Sequence, residues 1–216
     1  MVSRFVLVVL LALPSPAGAT ERILGLVEVP ALFVNADQGQ KPKGPVPLFV
    51  EPSQNAEVAA IVRDWQQLEY REHDGEMASA VVYGQHFAQG SGTWYRLRSS
   101  QGGKQVSGWL SPGDAGTFRR VLEIVRSGLT YLTNDWDKRL YEQPDPTSRF
   151  KLLEHLGNHP DVSVASAWGS PEDPWLLIVI RDGNICSGGT RIIATGWVPA
   201  YSASGAVAVW HYSRGC

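Results

Sequence analysis

A Gly-Trp-hydrophobic triplet occurs twice in this chain, as Gly108-Trp109-Leu110 and as Gly196-Trp197-Val198. Upstream of each triplet, similar residues recur in one order. Trp94 precedes the first and Trp175 the second. Ala80-Val-Val-Tyr-Gly84 stands before Trp94, as Ala165-Ser-Ala-Trp-Gly169 stands before Trp175. Leu48-Phe-Val-Glu-Pro52 matches Leu140-Tyr-Glu-Gln-Pro144. Ile23-Leu-Gly-Leu-Val-Glu-Val-Pro-Ala-Leu-Phe-Val34 matches Val121-Leu-Glu-Ile-Val-Arg-Ser-Gly-Leu-Thr-Tyr-Leu132. The spacing changes only across turn-rich stretches, such as residues 38–47 of the first copy. Ordered matches of this kind read as an internal duplication, which requires one fold to form twice. Each copy has about 100 residues, an ordinary size for one domain. The boundary falls in the Gly/Pro/Asp stretch at residues 112–119.

Each copy reads as short strands. In Trp94-Tyr-Arg-Leu-Arg98, alternation places Tyr95 and Leu97 on one face. Trp175-Leu-Leu-Ile-Val-Ile180 is continuously apolar, as in a strand covered on both sides. Gly102-Gly103 and Asp182-Gly183 mark hairpin tips. Residues 55–63 and 148–155 fit either a strand or a short helix. In the second of these, Phe150, Leu153 and Leu156 lie at helical spacing and Gly157 is placed to close a helix. The 22 glycines and 14 prolines favour turns over long helices. Short strands with frequent turns imply a small barrel or sandwich. Gly108 and Gly196 are expected to permit close backbone approach or a bulge.

The order in each copy is an aromatic-Pro strand, a central strand, a Trp-initiated strand, a hairpin and a Gly-Trp-hydrophobic strand. This resembles the bacterial SH3-like (SH3b) domain. The marks are Pro47-Leu-Phe-Val-Glu-Pro-Ser53, Trp94-Tyr-Arg-Leu97 and Gly108-Trp-Leu110 in the first copy. In the second they are Leu140-Tyr-Glu-Gln-Pro144, Trp175-Leu-Leu-Ile178 and Gly196-Trp-Val198. The resemblance implies an all-β chain of two tandem, partly open five-stranded barrels, over residues 20–118 and 119–216. Residues 69–92 and 181–193 would be hairpin insertions. It also implies a binding module without catalytic residues, similar to cell-wall targeting modules that hold peptidoglycan peptides. The groove of such a barrel draws on aromatic residues of its loops. Those stretches offer Phe49, Trp65 and Tyr83 in the first copy, and Trp136, Tyr141 and Trp168 in the second. Exposed rings would stack on sugar or peptide; the same rings would equally serve packing between the copies. Asp135 and Asp137 flank Trp136 and would favour a cationic ligand.

Residues 1–19 have the pattern of a signal peptide. Arg4 is the basic n-region, residues 5–13 are continuously apolar, and Ala17-Gly-Ala19 offers small residues for cleavage. The apolar run spans about 14 Å as a helix, against a hydrocarbon core of about 30 Å. The expectation is therefore a periplasmic or secreted protein with no transmembrane segment after cleavage. In an oxidising compartment the two cysteines, Cys186 and Cys216, are expected to form one disulfide. The net charge of −2 and the absence of a Lys/Arg run argue against a nucleic-acid partner.

Candidate chemistry is sparse. Glu72-His-Asp-Gly-Glu76 gathers one His and three carboxylates, and reads either as an acid/base or metal cluster or as a solvated turn at Asp74-Gly75. His155 and His159 have the i, i+4 spacing of a helical metal pair, but Gly157 and Pro160 interrupt a helix there. His86 and His211 stand alone. No nucleophile elbow, phosphate loop or zinc-protease motif occurs. No metal or cofactor is expected. The resulting expectation is a non-enzymatic binding module for a peptidoglycan fragment or an envelope protein. The alternative is a cell-wall hydrolase with a convergent acid/base site.

Overall fold

The structure is a computed structural model, and it describes residues 21–33, 43–73, 77–84, 86–89, 92–156, 160–182 and 191–212. The fold is all-β, in three antiparallel sheets, none of them closed into a barrel. In the first half the strands are β1 (Ile23–Val27), β2 (Val46–Phe49), β3 (Val58–Val62), β4 (Tyr70–His73), β5 (Met77–Tyr83), β6 (His86–Gln89), β7 (Gly92–Gln101), β8 (Lys104–Leu110) and β9 (Phe118–Arg120). They form a five-stranded sheet, β3-β2-β8-β7-β6, and a four-stranded sheet, β4-β5-β1-β9. A short helix, α1 (Val121–Ser127), leads into β10 (Thr130–Leu132), β11 (Arg139–Tyr141), β12 (Phe150–Leu152), β13 (Asp161–Ser170), β14 (Asp173–Arg181), β15 (Ile192–Pro199) and β16 (Val209–His211). These seven strands make one sheet in the order β12-β11-β15-β14-β13-β10-β16.

The two halves share a strand order. The runs β3-β2-β8-β7 and β5-β1-β9, taken in succession, match the seven-stranded order, with β5 and β6 together standing where β13 stands and β4 as an addition. Register agrees as well. Phe49 is opposite Trp109, and Tyr141 is opposite Trp197. Leu97 is opposite Gly108, and Ile178 is opposite Gly196.

Two of the sequence matches align differently in space. Residues 121–127 are helix, whereas Ile23–Val27 is strand. Val121, Ile124 and Val125 lie at helical spacing and are buried together, and the Arg120 N–H donates to Glu123 Oε2 at 2.9 Å to fasten the first turn. The strand that pairs as β1 does is β10. The match of residues 80–84 with 165–169 is also displaced. Trp168 lies opposite Trp175 as Phe87 lies opposite Trp94, so the counterpart of Trp168 is Phe87 rather than Tyr83. β5 and β6 are separate strands in the first half, while β13 runs on through a register shift between Val164 and Ser166. The two ambiguous segments contain the strands β3 and β12. The expected division between residues 118 and 119 falls inside β9, which pairs with β1.

Two buried clusters hold the chain together, and the four-stranded sheet lies between them. Val27, Ala80 and Val82 face one cluster, together with Leu48, Leu97 and Leu110 of the five-stranded sheet. Leu26, Val81 and Tyr83 face the other, which contains Val121, Ile124, Leu132, Leu140, Ile178, Val198 and Trp210. The period-2 alternation of β1 and β5 thus serves two cores at once. Polar contacts accompany this packing. Glu21 pairs with Arg96 and Arg98, and the Arg98 guanidinium lies 3.8 Å from the Tyr83 ring centroid. Arg22 reaches Asp173 at 3.2 Å and stacks 4.3 Å from the ring centroid of Tyr201.

The matched glycines mark matched crossings. A Cβ on Gly108 would lie 2.7 Å from Leu48 Cβ, and one on Gly196 would lie 2.6 Å from Leu140 Cγ. Both distances are below any real contact, so the expected close approach is present in both halves. At the β7–β8 tip, Gly102 and Gly103 have φ of +57° and +78°, as a two-residue primed turn requires.

Gly108→Ala and Gly196→Ala are each expected to destabilise the protein by about 1–3 kcal/mol through overpacking. Gly113→Ala, whose added Cβ would meet only Ser111 Oγ at 3.8 Å, is expected to be near neutral. Urea midpoints of the three variants check this.

Candidate functional site

The outer face of the seven-stranded sheet carries a band of aromatic rings, turned away from the core. Leu140 points into the core, so its neighbour Tyr141 points out. Tyr141 nevertheless is only 5% exposed, because other rings cover it. Trp175 meets it edge-on at 5.2 Å between centroids and 90°, and Phe150 lies at 5.6 Å. The Arg139 guanidinium stands 4.8 Å from the Phe150 ring centroid. Trp168, directly opposite Trp175, ends the band at 66% exposure, the highest among the exposed large hydrophobic residues described.

The five-stranded sheet repeats this arrangement. Phe49 meets Trp94 edge-on at 5.7 Å and 82°. Phe87 lies opposite Trp94 and is 46% exposed; Val58 pairs with Phe49 as Phe150 pairs with Tyr141. Each half therefore has a T-shaped pair with one buried ring, Trp94 or Tyr141, and exposed apolar groups on either side. Such edge-to-face pairs contribute about 0.5–1.5 kcal/mol beyond area burial. They also fix the rings beside them in place.

The six aromatic residues expected at a groove are distributed unevenly. Tyr141 and Trp168 belong to the second band and Phe49 to the first. Trp65 sits in a short 3-10 turn at Trp65–Gln67 and packs on Phe33 and Tyr70 at 5.9 and 4.4 Å. Tyr83 and Trp136 are buried in the shared core, at 3% and 7% exposure. Trp136 Nε1 donates to the Arg139 carbonyl at 3.1 Å, so its flanking Asp135 and Asp137 are exposed without it. Trp175, Trp94, Phe150 and Phe87 complete the bands. The first two stood in the duplication itself, at matched positions. The other two become visible only when the register sets them opposite Trp94 and Tyr141.

Polar candidates do not converge among the described residues. Glu72 and His73 lie on β4; Asp74, Glu76 and His159 lie outside the described residues, as do Cys186 and Cys216. Glu154 and His155 are exposed in a turn after β12, not on a helix. His211 is buried on β16, with Nδ1 3.1 Å from the Tyr212 carbonyl oxygen. Beside it, a cavity of about 40 Å³ is lined by Leu26, Arg119, Ile124, Ser127, Gly128, His211 and Tyr212. No group of three or more His, Cys, Asp or Glu suited to a metal ion occurs among the described residues. No helix among them is long and apolar enough to cross a membrane. Comparison with known proteins finds no matching family model, no similar curated protein and no similar solved structure.

Burial raises five of the described tyrosines, Tyr95 and Tyr131 among them. Burial pushes the Tyr201 hydroxyl up to about 12. Burial, aided by a hydrogen bond with Glu69, raises Tyr83. Burial, aided by Asp161, raises Tyr212. Each phenol ionises more readily in the unfolded chain, where its pKa is about 10. Their contribution to stability is complete below pH 10 and is lost as pH rises through 10 toward the folded values. Urea midpoints are expected to stay level from pH 8 to 9 in this respect and to fall above about pH 10. Tyr201→Phe is expected to make that fall shallower.

Proposed function

We propose that the chain is a non-catalytic, exported binding module of two tandem SH3-like copies, which holds peptidoglycan stem peptides on its aromatic bands. One observation carries this: a T-shaped aromatic pair recurs at equivalent register in both halves, and each pair is bordered by an exposed ring. Packing alone accounts for the buried members, Trp94 and Tyr141. It does not account for Trp168 and Phe87, which keep large apolar surface in water. Rings held by a rigid sheet bind with little loss of conformational freedom. A charged group stands at the band's margin: Arg139, over the Phe150 ring, suits carboxylates of wall peptides. Duplication of the band supports avidity on a polymeric wall, where the second contact is effectively intramolecular.

The test is co-sedimentation of oxidised protein (residues 20–216) with insoluble sacculi. Retention that free stem peptides abolish is expected. Trp168→Ala and Phe87→Ala are each expected to weaken retention roughly tenfold, as for anchor residues. The double variant should not be retained. Both exposed positions are expected to change the urea midpoint little. Retention that survives the double variant would overturn the assignment to the bands. Absence of retention by the unaltered protein would move the partner from the wall to an envelope protein.

A further inference from the structure

The seven-stranded sheet ends at β12, and its register shows which backbone groups point out of the sheet. The Glu142 N–H donates to the Arg149 carbonyl, and the Leu153 N–H to the Lys138 carbonyl, both at 2.9 Å. Bonded positions alternate along an antiparallel pair. With Leu140 opposite Lys151, the Lys151 backbone therefore turns inward to β11. Phe150 and Leu152 turn their N–H and C=O groups outward. Their side chains are 48% and 47% exposed, and Lys151 between them is exposed on the opposite face. The other end of this sheet, β16, is buried at all three residues. On the counterpart edge β3, the Ile61 carbonyl already accepts from Gln101 Nε2 at 3.3 Å.

We propose that β12 takes up an extended segment of a partner protein as an additional strand, in a site at the sheet edge that shares only Phe150 with the ring face. Outward backbone donors and acceptors at alternate residues fit an extended chain and no other conformation. The side chains define its pattern. Residues opposite Phe150 and Leu152 are apolar, and the residue opposite Lys151 is acidic. The same charge argues against a second copy of this chain. Antiparallel pairing of two β12 edges centred on this residue would set Lys151 against the partner's Lys151, and like charges directly opposite are destabilising. A lysine in an edge strand is a common guard against self-pairing.

Fluorescence anisotropy with labelled peptides tests this. The probes are Ser-Thr-Val-Glu-Val-Thr-Ser and the same peptide with Lys in place of Glu. The unaltered protein should prefer the Glu peptide roughly fivefold. Lys151→Glu should reverse that preference. Leu152→Pro removes one outward N–H, keeps an apolar side chain and leaves the bonds to β11, as proline on an edge strand can. It should weaken the Glu peptide at least tenfold, with circular dichroism unchanged. Trp168→Ala should leave peptide affinity unchanged, so failure on the wall and failure at the edge are separately visible. Equal binding of the two peptides, binding of neither, or a neutral Leu152→Pro would overturn the proposal. A dimer in sedimentation that Leu152→Pro dissolves would overturn the choice of occupant.

Discussion

The fold depends on one sheet having two buried faces. In β1, Leu26 and Val27 are adjacent in sequence and enter different cores. In β5, Val81 and Val82 do the same. Successive side chains of a strand point to opposite faces, so neither strand is able to shift by one residue without exchanging the contents of both cores. That constraint fixes the four-stranded sheet, and the other two sheets are placed against it. The halves of the chain are therefore joined through a shared hydrophobic layer, and the Arg22–Asp173 ion pair spans that join, while Glu21 pairs with Arg96 and Arg98 within the first half. Such partly exposed pairs add little energy by themselves. Their geometry nevertheless orients the start of β1.

From that layer outward, each half follows the same physical logic. A glycine lets one strand cross close beneath a leucine, Gly108 under Leu48 and Gly196 under Leu140. The residue after the leucine, Phe49 or Tyr141, must then face away from the core. It finds cover from the tryptophan that opens the next long strand. The aromatic bands are thus a consequence of the crossing, and surface rings follow from interior packing. What differs is the depth of cover. Tyr141 and Trp94 are buried on their outer faces, while Trp168 and Phe87 are left at the margin.

Much of this was legible in the residues, and the exceptions have physical causes. Gly-Gly at 102–103 fixed a hairpin, because both positions need positive φ. The Gly-Trp triplets located equivalent strands, because only glycine fits beneath the leucine. Residues 121–127 misled by composition: Val-Leu-Glu-Ile-Val suits either period, and burial of Val121, Ile124 and Val125 on one stripe selected the helix. Residues 150–152 went the other way. Phe150, Leu153 and Leu156 have helical spacing, but Phe150 finds Tyr141 only as a strand partner. Of the expected ligand-facing rings, Tyr83 and Trp136 are core residues. An aromatic side chain's exposure depends on what the rest of the chain lays over it, and local sequence does not carry that information. Trp168 and Trp175 read alike in sequence, yet one ends the band and the other lies within it.

The tip of the β7–β8 hairpin has a practical consequence. Nothing lies within 4 Å of a Cβ built on Gly102 or Gly103, and the flanking pair Gln101 and Lys104 closes the ladder behind them. This is a place where foreign sequence can be spliced into the middle of the chain without meeting a neighbour. An epitope or a small fluorogenic tag inserted there would travel with the folded protein. It would leave both chain ends unaltered, and microscopy could then follow the protein in living cells.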